Sequence, residues 1–176
     1  THYDKRYADV NIERIVNSCI NAFKNDKKML FCGNGGSASD AQHIASELSG
    51  RFYKDRPPLY AEALHVNSSY MTAVANDYGY EETYARMVEA SGRKGDVLVG
   101  ISTSGNSPNV VKAMLHAKEI GMLTVGFTGS KGGKMKEICD IMIQVPSDDT
   151  PRIQEVHILV GHIICQLIEE EMFPNA

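Results

Sequence analysis

Short apolar runs alternate along the chain with stretches whose apolar positions recur every three or four residues. Ile12, Ile15, Val16, Cys19, Ile20 and Phe23 predict an amphipathic helix over 8–25, ended by Asn25-Asp26. Met29 to Cys32 is too short for a helix and reads as a buried strand stopped by Gly33, followed by a helix over about 38–49 with Ser37 as its cap. Pro57-Pro58 marks a connection, and Ala61 to Val66 predicts a second strand. Ser68 or Ser69 can cap a helix through Ala75, which Asn76-Asp77-Tyr78-Gly79 breaks; a further helix covers Glu81 to Ala90. Asp96 to Ser102 is the clearest buried strand, and Val110, Val111, Met114, Leu115 and Ala117 predict the helix after it, with Ser107 as cap and Pro108 at the favoured first position. Leu123 to Thr128, a short helix from Lys134 to Cys139, and Ile141 to Val145 come next. A long helix over about 151–172 closes the chain. This alternation means βαβ units, hence an α/β fold whose parallel sheet is covered on both faces.

At 176 residues the pattern fits one domain over 1–176. The chain is 43% apolar and 23% charged, values typical of a soluble globular protein. No apolar stretch is long enough to span a bilayer and nothing at the N-terminus resembles a signal peptide, so the expected location is cytoplasmic. The net charge is −4 and the 18 Lys and Arg are scattered, which argues against nucleic-acid and membrane partners. Cys19, Cys32, Cys139 and Cys165 are far apart, as buried free thiols would be.

Two turns offer anion sites. Asn34, Gly35 and Gly36 lead from a strand into a helix start at Ser37, a geometry that presents free N–H groups and the positive end of the helix dipole. Ser102, Thr103, Ser104 and Ser107 place four hydroxyls at the second such junction, where the alternative is a plain turn. Neither turn matches the dinucleotide or nucleotide glycine motifs, so a phosphorylated small molecule fits better. On the first helix His43 and Glu47 share one face, one turn apart, and can share a metal, a proton or only a surface ion pair. On the last helix Gln154, Ile158 and His162 form a second row, while His157 lies about 140° around the axis from His162.

These stretches together are informative. Cys-Gly-Asn-Gly-Gly-Ser (32–37), Asp40-Ala-Gln-His43 with Glu47, Asn76-Asp77-Tyr78-Gly79, the run from Gly95 to Ser107, and Arg152-Ile-Gln-Glu-Val-His157 resemble the phosphoheptose isomerase family of sugar isomerase (SIS) domains over about 12–172. The resemblance implies a three-layer sandwich with a five-stranded parallel sheet flanked by helices, flavodoxin-like in order. It implies a homotetramer with active sites at subunit contacts. The implied reaction converts sedoheptulose 7-phosphate to D-glycero-D-manno-heptose 7-phosphate through an enediol, the first step towards activated heptose for lipopolysaccharide or other surface glycans. It also implies one zinc per subunit on His43, Glu47, Gln154 and His162. Glu47 and His162 are the implied acid/base pair. The implied substrate contacts are Asn34, Gly35, Gly36, Ser37, Glu47, Asn76, Asp77, Ser102, Thr103, Ser104, Ser107 and Gln154.

The chain departs from the family at one place. Thr150-Pro151 stands where members often carry an acidic residue before Arg-Ile-Gln, and Asp148 or Asp149 is the nearby replacement. Rival readings are a non-catalytic SIS adaptor that binds the bacterial replication initiator and an isomerase for another phosphosugar. The adaptor reading loses the acid/base residues, and this chain keeps both Glu47 and His162.

Overall fold

Five strands form one sheet in the order β2-β1-β3-β4-β5, every neighbouring pair parallel. The computed structural model describes residues 5–176, with side chains from Val10 onward. Along the chain the elements are α1 (Lys5–Lys24), β1 (Met29–Gly33), α2 (Gly36–Ser49), β2 (Ala61–Ala63), α3 (Ser68–Tyr78), α4 (Thr83–Ser91), β3 (Val97–Ile101), α5 (Pro108–Glu119), β4 (Leu123–Thr128), α6 (Met135–Ile138), β5 (Ile141–Gln144) and α7 (Thr150–Met172). The three-layer α/β sandwich is the expected one.

The strands are apolar throughout because helices cover both faces. Side chains alternate across the pleat, so Phe31, Val97, Val99, Ile101, Val125, Phe127, Ile141 and Ile143 pack on one side with Ile15, Cys19, Ile44, Leu48, Ile164 and Ile168 of α1, α2 and α7. Leu30, Cys32, Leu98 and Met142 point the other way, onto Tyr84, Val88, Met114 and Ala117 of α4 and α5 and Met135 of α6. Cys19, Cys32 and Cys165 are buried and all four thiols are free; burial pushes the Cys139 and Cys165 thiols up to about 12. Among the described residues no helix is long and apolar enough to cross a membrane.

The chain leaves β1 towards β2 on one side and returns to β3 on the other, which makes the β1/β3 boundary the topological switch point. In open parallel sheets, ligands bind just beyond the carboxyl ends of the strands at that point. Gly33 pairs with Ile101, so the glycine turn and the hydroxyl turn emerge side by side there.

Several boundaries differ from the pattern. α1 is already helical at Lys5, ahead of the expected 8. α2 begins at Gly36 with Gly35 at its cap position, so Ser37 is buried inside the first turn instead of capping it. Gly35 has φ 56°, which a side chain at that position would oppose, and this is why the turn needs glycine. β2 stops at Ala63. The cap of α3 is Asn67, whose side chain accepts the Tyr70 N–H, and the helix continues to Tyr78, so Asn76 and Asp77 form its last turn. α7 starts at Thr150 with Pro151 in its first turn, where a missing N–H costs nothing.

Candidate active site

A pair of amides locks the two turns together. Asn34 Nδ2 donates to Asn109 Oδ1 and Asn109 Nδ2 donates to Asn34 Oδ1, both at 2.9 Å. Asn109 is only 1% exposed, and its Oδ1 also accepts the Val110 N–H at the start of α5. The Tyr80 hydroxyl donates to Asn34 Oδ1 at 3.1 Å, which brings the segment after Asn76-Gly79 to the same node. In the hydroxyl turn Ser107 occupies the cap position, but its Oγ lies 2.8 Å from Ser102 Oγ instead of capping the helix, and Ser104 Oγ is 3.5 Å from Ser102. Thr103 and Ser104 open onto a cavity of about 260 Å³ that Lys131 and Asp148 also line. Asp148 accepts the Ser130 hydroxyl, whereas Asp149 is at the cap position of α7. Of the two aspartates near the departure, Asp148 is therefore the one that faces the cavity.

The second centre is the seam between α2 and α7. On α2, Gly36, Asp40, His43 and Glu47 recur at helical spacing and share one face. His43 Nε2 lies 3.0 Å from Glu47 Oε1 and 3.4 Å from His162 Nε2 of α7. The ligand atoms of these three residues lie within 4.8 Å of one another. The His43 and His162 rings meet edge to face, centroids 4.9 Å apart, and Phe52 stacks on His162 at 5.6 Å. Asp40 lies one turn before His43; burial raises its carboxyl above the ordinary range while His43 and His162 draw it back in part. Its Oδ2 is buried without a hydrogen-bond partner among the described residues.

The helices meet closely because two glycines permit it. A Cβ on Gly161 would sit 2.4 Å from Ile44 Cδ1, and a Cβ on Gly36 would sit 2.6 Å from Gln154 Nε2 and 2.9 Å from its Oε1. Gln154 thus rests its amide against the glycine turn.

The donor set can hold a metal ion. Tetrahedral bonds of about 2.0–2.2 Å to N and O ligands put neighbouring ligand atoms roughly 3.3–3.5 Å apart. The separations of 3.0 and 3.4 Å around His43 Nε2 lie close to that edge length. Two Nε2 atoms facing each other and a carboxylate have at most one proton each to satisfy the group, and a cation satisfies all three.

Of the predicted residues, His43, Glu47 and His162 converge, Gln154 joins the glycine turn, and the serine hydroxyls cluster. Asn76 and Asp77 are exposed, with Asn76 Nδ2 donating to Asp77 Oδ1 at 2.8 Å. Asn109, Tyr80 and Phe52 adjoin these residues without having been singled out, and Asp40, named only as the start of the Asp40–His43 motif, adjoins them as well. Asp40 alone had a signal, its place on the His43–Glu47 row. His157 turns away from the seam: it is fully buried and its Nε2 meets the Thr128 carbonyl at 3.1 Å.

The SIS domain family profile matches residues 5–129. A phosphoheptose isomerase of Aneurinibacillus thermoaerophilus is 54% identical over 164 residues, covering 93% of this chain and 83% of its own. One from a Nitratiruptor species is 59% identical over 152 residues, covering 86% and 81%. Among solved structures, the phosphoheptose isomerase of Neisseria gonorrhoeae matches with a TM-score of 0.86 at 44% identity over 91% of this chain and 85% of that one. That of Francisella tularensis matches with a TM-score of 0.88 at 37% identity, with the same coverage. Sharing more than half its residues with such relatives over four fifths of their length, and their fold as well, the chain belongs to the phosphoheptose isomerase family of SIS-domain proteins.

Proposed function

We propose that the protein isomerises D-sedoheptulose 7-phosphate to D-glycero-D-manno-heptose 7-phosphate. The observation that carries this is the convergence of His43, Glu47 and His162 on the α2–α7 seam, beside two anion-binding turns held in one piece. The phosphate is bound by the backbone N–H groups of Asn34, Gly35 and Gly36, the Ser37 N–H being taken by the Asn34 carbonyl, and by the hydroxyls of Ser37, Ser102, Thr103, Ser104 and Ser107, with Gln154 at their junction with the seam. Local donors outweigh the overall charge of −4 at contact distance. Asn76 and Asp77 are assigned to the sugar hydroxyls.

Isomerisation needs a proton moved from C1 to C2 and another moved between their oxygens. Glu47 Oε1 is engaged by His43, which leaves Oε2 to take the C1 proton, while His162 protonates the oxygen on C2 to give the enediol. The reverse transfers, a proton to C2 and one from the oxygen on C1, yield the aldose and restore both side chains. One zinc per subunit would be held by His43, Glu47 and His162, with the Gln154 carbonyl as fourth ligand; when bound it supplies polarisation of the substrate carbonyl. Phe52 covers one face of His162 and limits its access to water.

A homotetramer is the proposed assembly. The groove between α1 and α7, lined by Ile12, Val16, Ile163 and Leu167, and the exposed Tyr53 and Leu159 near the seam support burial against further copies. The proposed setting is the cytoplasm, at the start of activated heptose synthesis for surface glycans. The adaptor reading is disfavoured because its discriminators, Glu47 and His162, are both in the seam.

The test is NMR detection of the aldose from sedoheptulose 7-phosphate, with and without a chelator. Product that is lost on chelation and restored by zinc is expected, as is loss of at least a thousandfold in kcat for Glu47→Gln with phosphate binding retained. No product from protein that still binds the sugar phosphate would overturn the assignment, and unchanged kcat in Glu47→Gln would remove Glu47 as the base.

A further inference from the structure

Arg56 and Glu169 take no part in the chemistry above, yet among the described residues they form the most deeply buried ion pair, 0% and 2% exposed with Nε and Oε1 2.9 Å apart. Buried ion pairs add little stability over apolar residues of the same size, so their presence asks for another reason. The remaining hydrogen bonds of the pair supply it. Arg56 Nη2 donates to the Glu47 carbonyl at 2.8 Å and Nη1 to the Leu48 carbonyl at 2.8 Å, the last turn of the helix that carries His43 and Glu47. Such terminal carbonyls have no partner within their own helix. Glu169 in turn accepts the backbone N–H groups of Phe52 at 3.1 Å, Tyr53 at 2.8 Å and Lys54 at 3.1 Å. Phe52 is the residue stacked on His162, with planes 30° apart. One arm of the pair therefore holds the backbone of Glu47, and the other holds the ring against which His162 rests.

We propose that Arg56 and Glu169 are positioning residues that set the placement of Glu47 relative to His162 and so tune proton transfer and metal affinity rather than phosphate binding. The proposal rests on the isomerase reading. A clamp serving only to fix the loop after α2 would change stability and leave the geometry of the pair alone. Arg56→Lys keeps the charge but lacks the fork needed to reach Glu169 and the Glu47 carbonyl together. Phe52→Leu removes the stack without touching the ion pair, and Phe52→Tyr restores the ring.

The experiment measures kcat and KM for sedoheptulose 7-phosphate, inhibition by inorganic phosphate, and zinc affinity by competition with an indicator chelator. Arg56→Lys and Phe52→Leu are expected to lose about 10- to 100-fold in kcat and in zinc affinity, with KM and the phosphate inhibition constant within about twofold of wild type. Phe52→Tyr is expected to recover both losses. Folded Arg56→Lys protein with unchanged kcat and zinc affinity overturns the proposal, as does a parallel loss in phosphate inhibition, the mark of general loosening. If Arg56→Lys does not fold, Glu169→Gln, which removes the charge and one acceptor from the Phe52, Tyr53 and Lys54 N–H groups, takes its place with the same expected and overturning results. A wild-type protein inactive on the heptulose phosphate sinks the isomerase reading, and the zinc comparison then decides the role of the pair by itself.

Discussion

His157 and His162 stand five positions apart on one apolar helix and do opposite things. His162 faces the seam, while His157 is buried, with Nε2–H donating to the Thr128 carbonyl and Nδ1 without a partner among the described residues. Burial pushes the His157 pKa down to about 4, the Thr128 carbonyl partly opposing. The unfolded chain binds a proton there near pH 6.5, so the contribution of the neutral buried imidazole is fully present above that value and is lost as pH falls from about 6.5 towards 4, on the order of 3 kcal/mol in all. His157→Gln, which keeps an N–H near the Nε2 position, is expected to flatten urea-unfolding stability across that window; an unchanged slope would refute the assignment. Glu169 acts lower on the pH scale. Burial alone would raise its carboxyl, but the N–H groups of Tyr53, Phe52 and Lys54 and the Arg56 guanidinium hold it below the ordinary value, so its contribution is present above the usual carboxylate range and is lost as pH falls through its depressed pKa. Helical periodicity distinguishes the two histidines in the sequence. Arg56 and Glu169 carried no such signal, because each lies in a local run of charges, Lys54-Asp55-Arg56 and Glu169-Glu170-Glu171, that reads as a solvated surface, and the two are 113 positions apart.

At the scale of elements, the seam depends on how closely α2 approaches α7. Gly161 precedes His162 and Ile44 follows His43, so the contact that sets the helix spacing adjoins two of the three converging residues. Gly161→Ala would place a Cβ 2.4 Å from Ile44 Cδ1 and 2.7 Å from its Cγ1, and Ile44, 2% exposed, has little room to turn aside. The expected result is an outward shift of α7, a loss of about tenfold or more in zinc affinity and kcat, and a stability cost of about 1–3 kcal/mol from overpacking. Ile44→Val in the same chain removes the nearest atom and is expected to recover part of each loss; a double variant no better than Gly161→Ala alone, by calorimetry and zinc titration, would place the fault elsewhere. The strands and helix faces were legible because short, mostly apolar runs such as Met29–Cys32 and Val97–Ile101 are too brief for helices, and the stretches between them repeat at helical spacing. Helix ends were less so. Ser37 has the chemistry of a cap, yet the positive φ of Gly35 begins the helix two residues earlier, and Asn76 and Asp77 have the composition of a break but sit inside a last turn.

For the whole molecule, strand order decides which turns meet. Two strand-turn-helix junctions about seventy residues apart could be read in the sequence, but that they open at the same crevice follows only from β1 lying between β2 and β3. The reciprocal Asn34–Asn109 bonds fasten that coincidence, across 75 positions. Asn109 lies inside a helical pattern where a polar residue reads as a surface position, and its burial shows in nothing but the fold. Asn109→Ala removes both bonds, together with the one from the Val110 N–H, and leaves the Asn34 amide only the Tyr80 hydroxyl and water, so the turns lose their fixed spacing while the seam, built from α2 and α7, keeps its own supports. The two bonds lost between the turns, at about 1 kcal/mol each, correspond to a rise of roughly 30-fold in KM and in the inhibition constant for inorganic phosphate. The loss in kcat is expected to be much smaller, the reverse of the pattern from Arg56→Lys. Steady-state kinetics on the two variants side by side checks this directly: if both lose kcat and KM together, the phosphate cradle and the proton-transfer seam are one rigid unit, and the separate struts assigned to them are not.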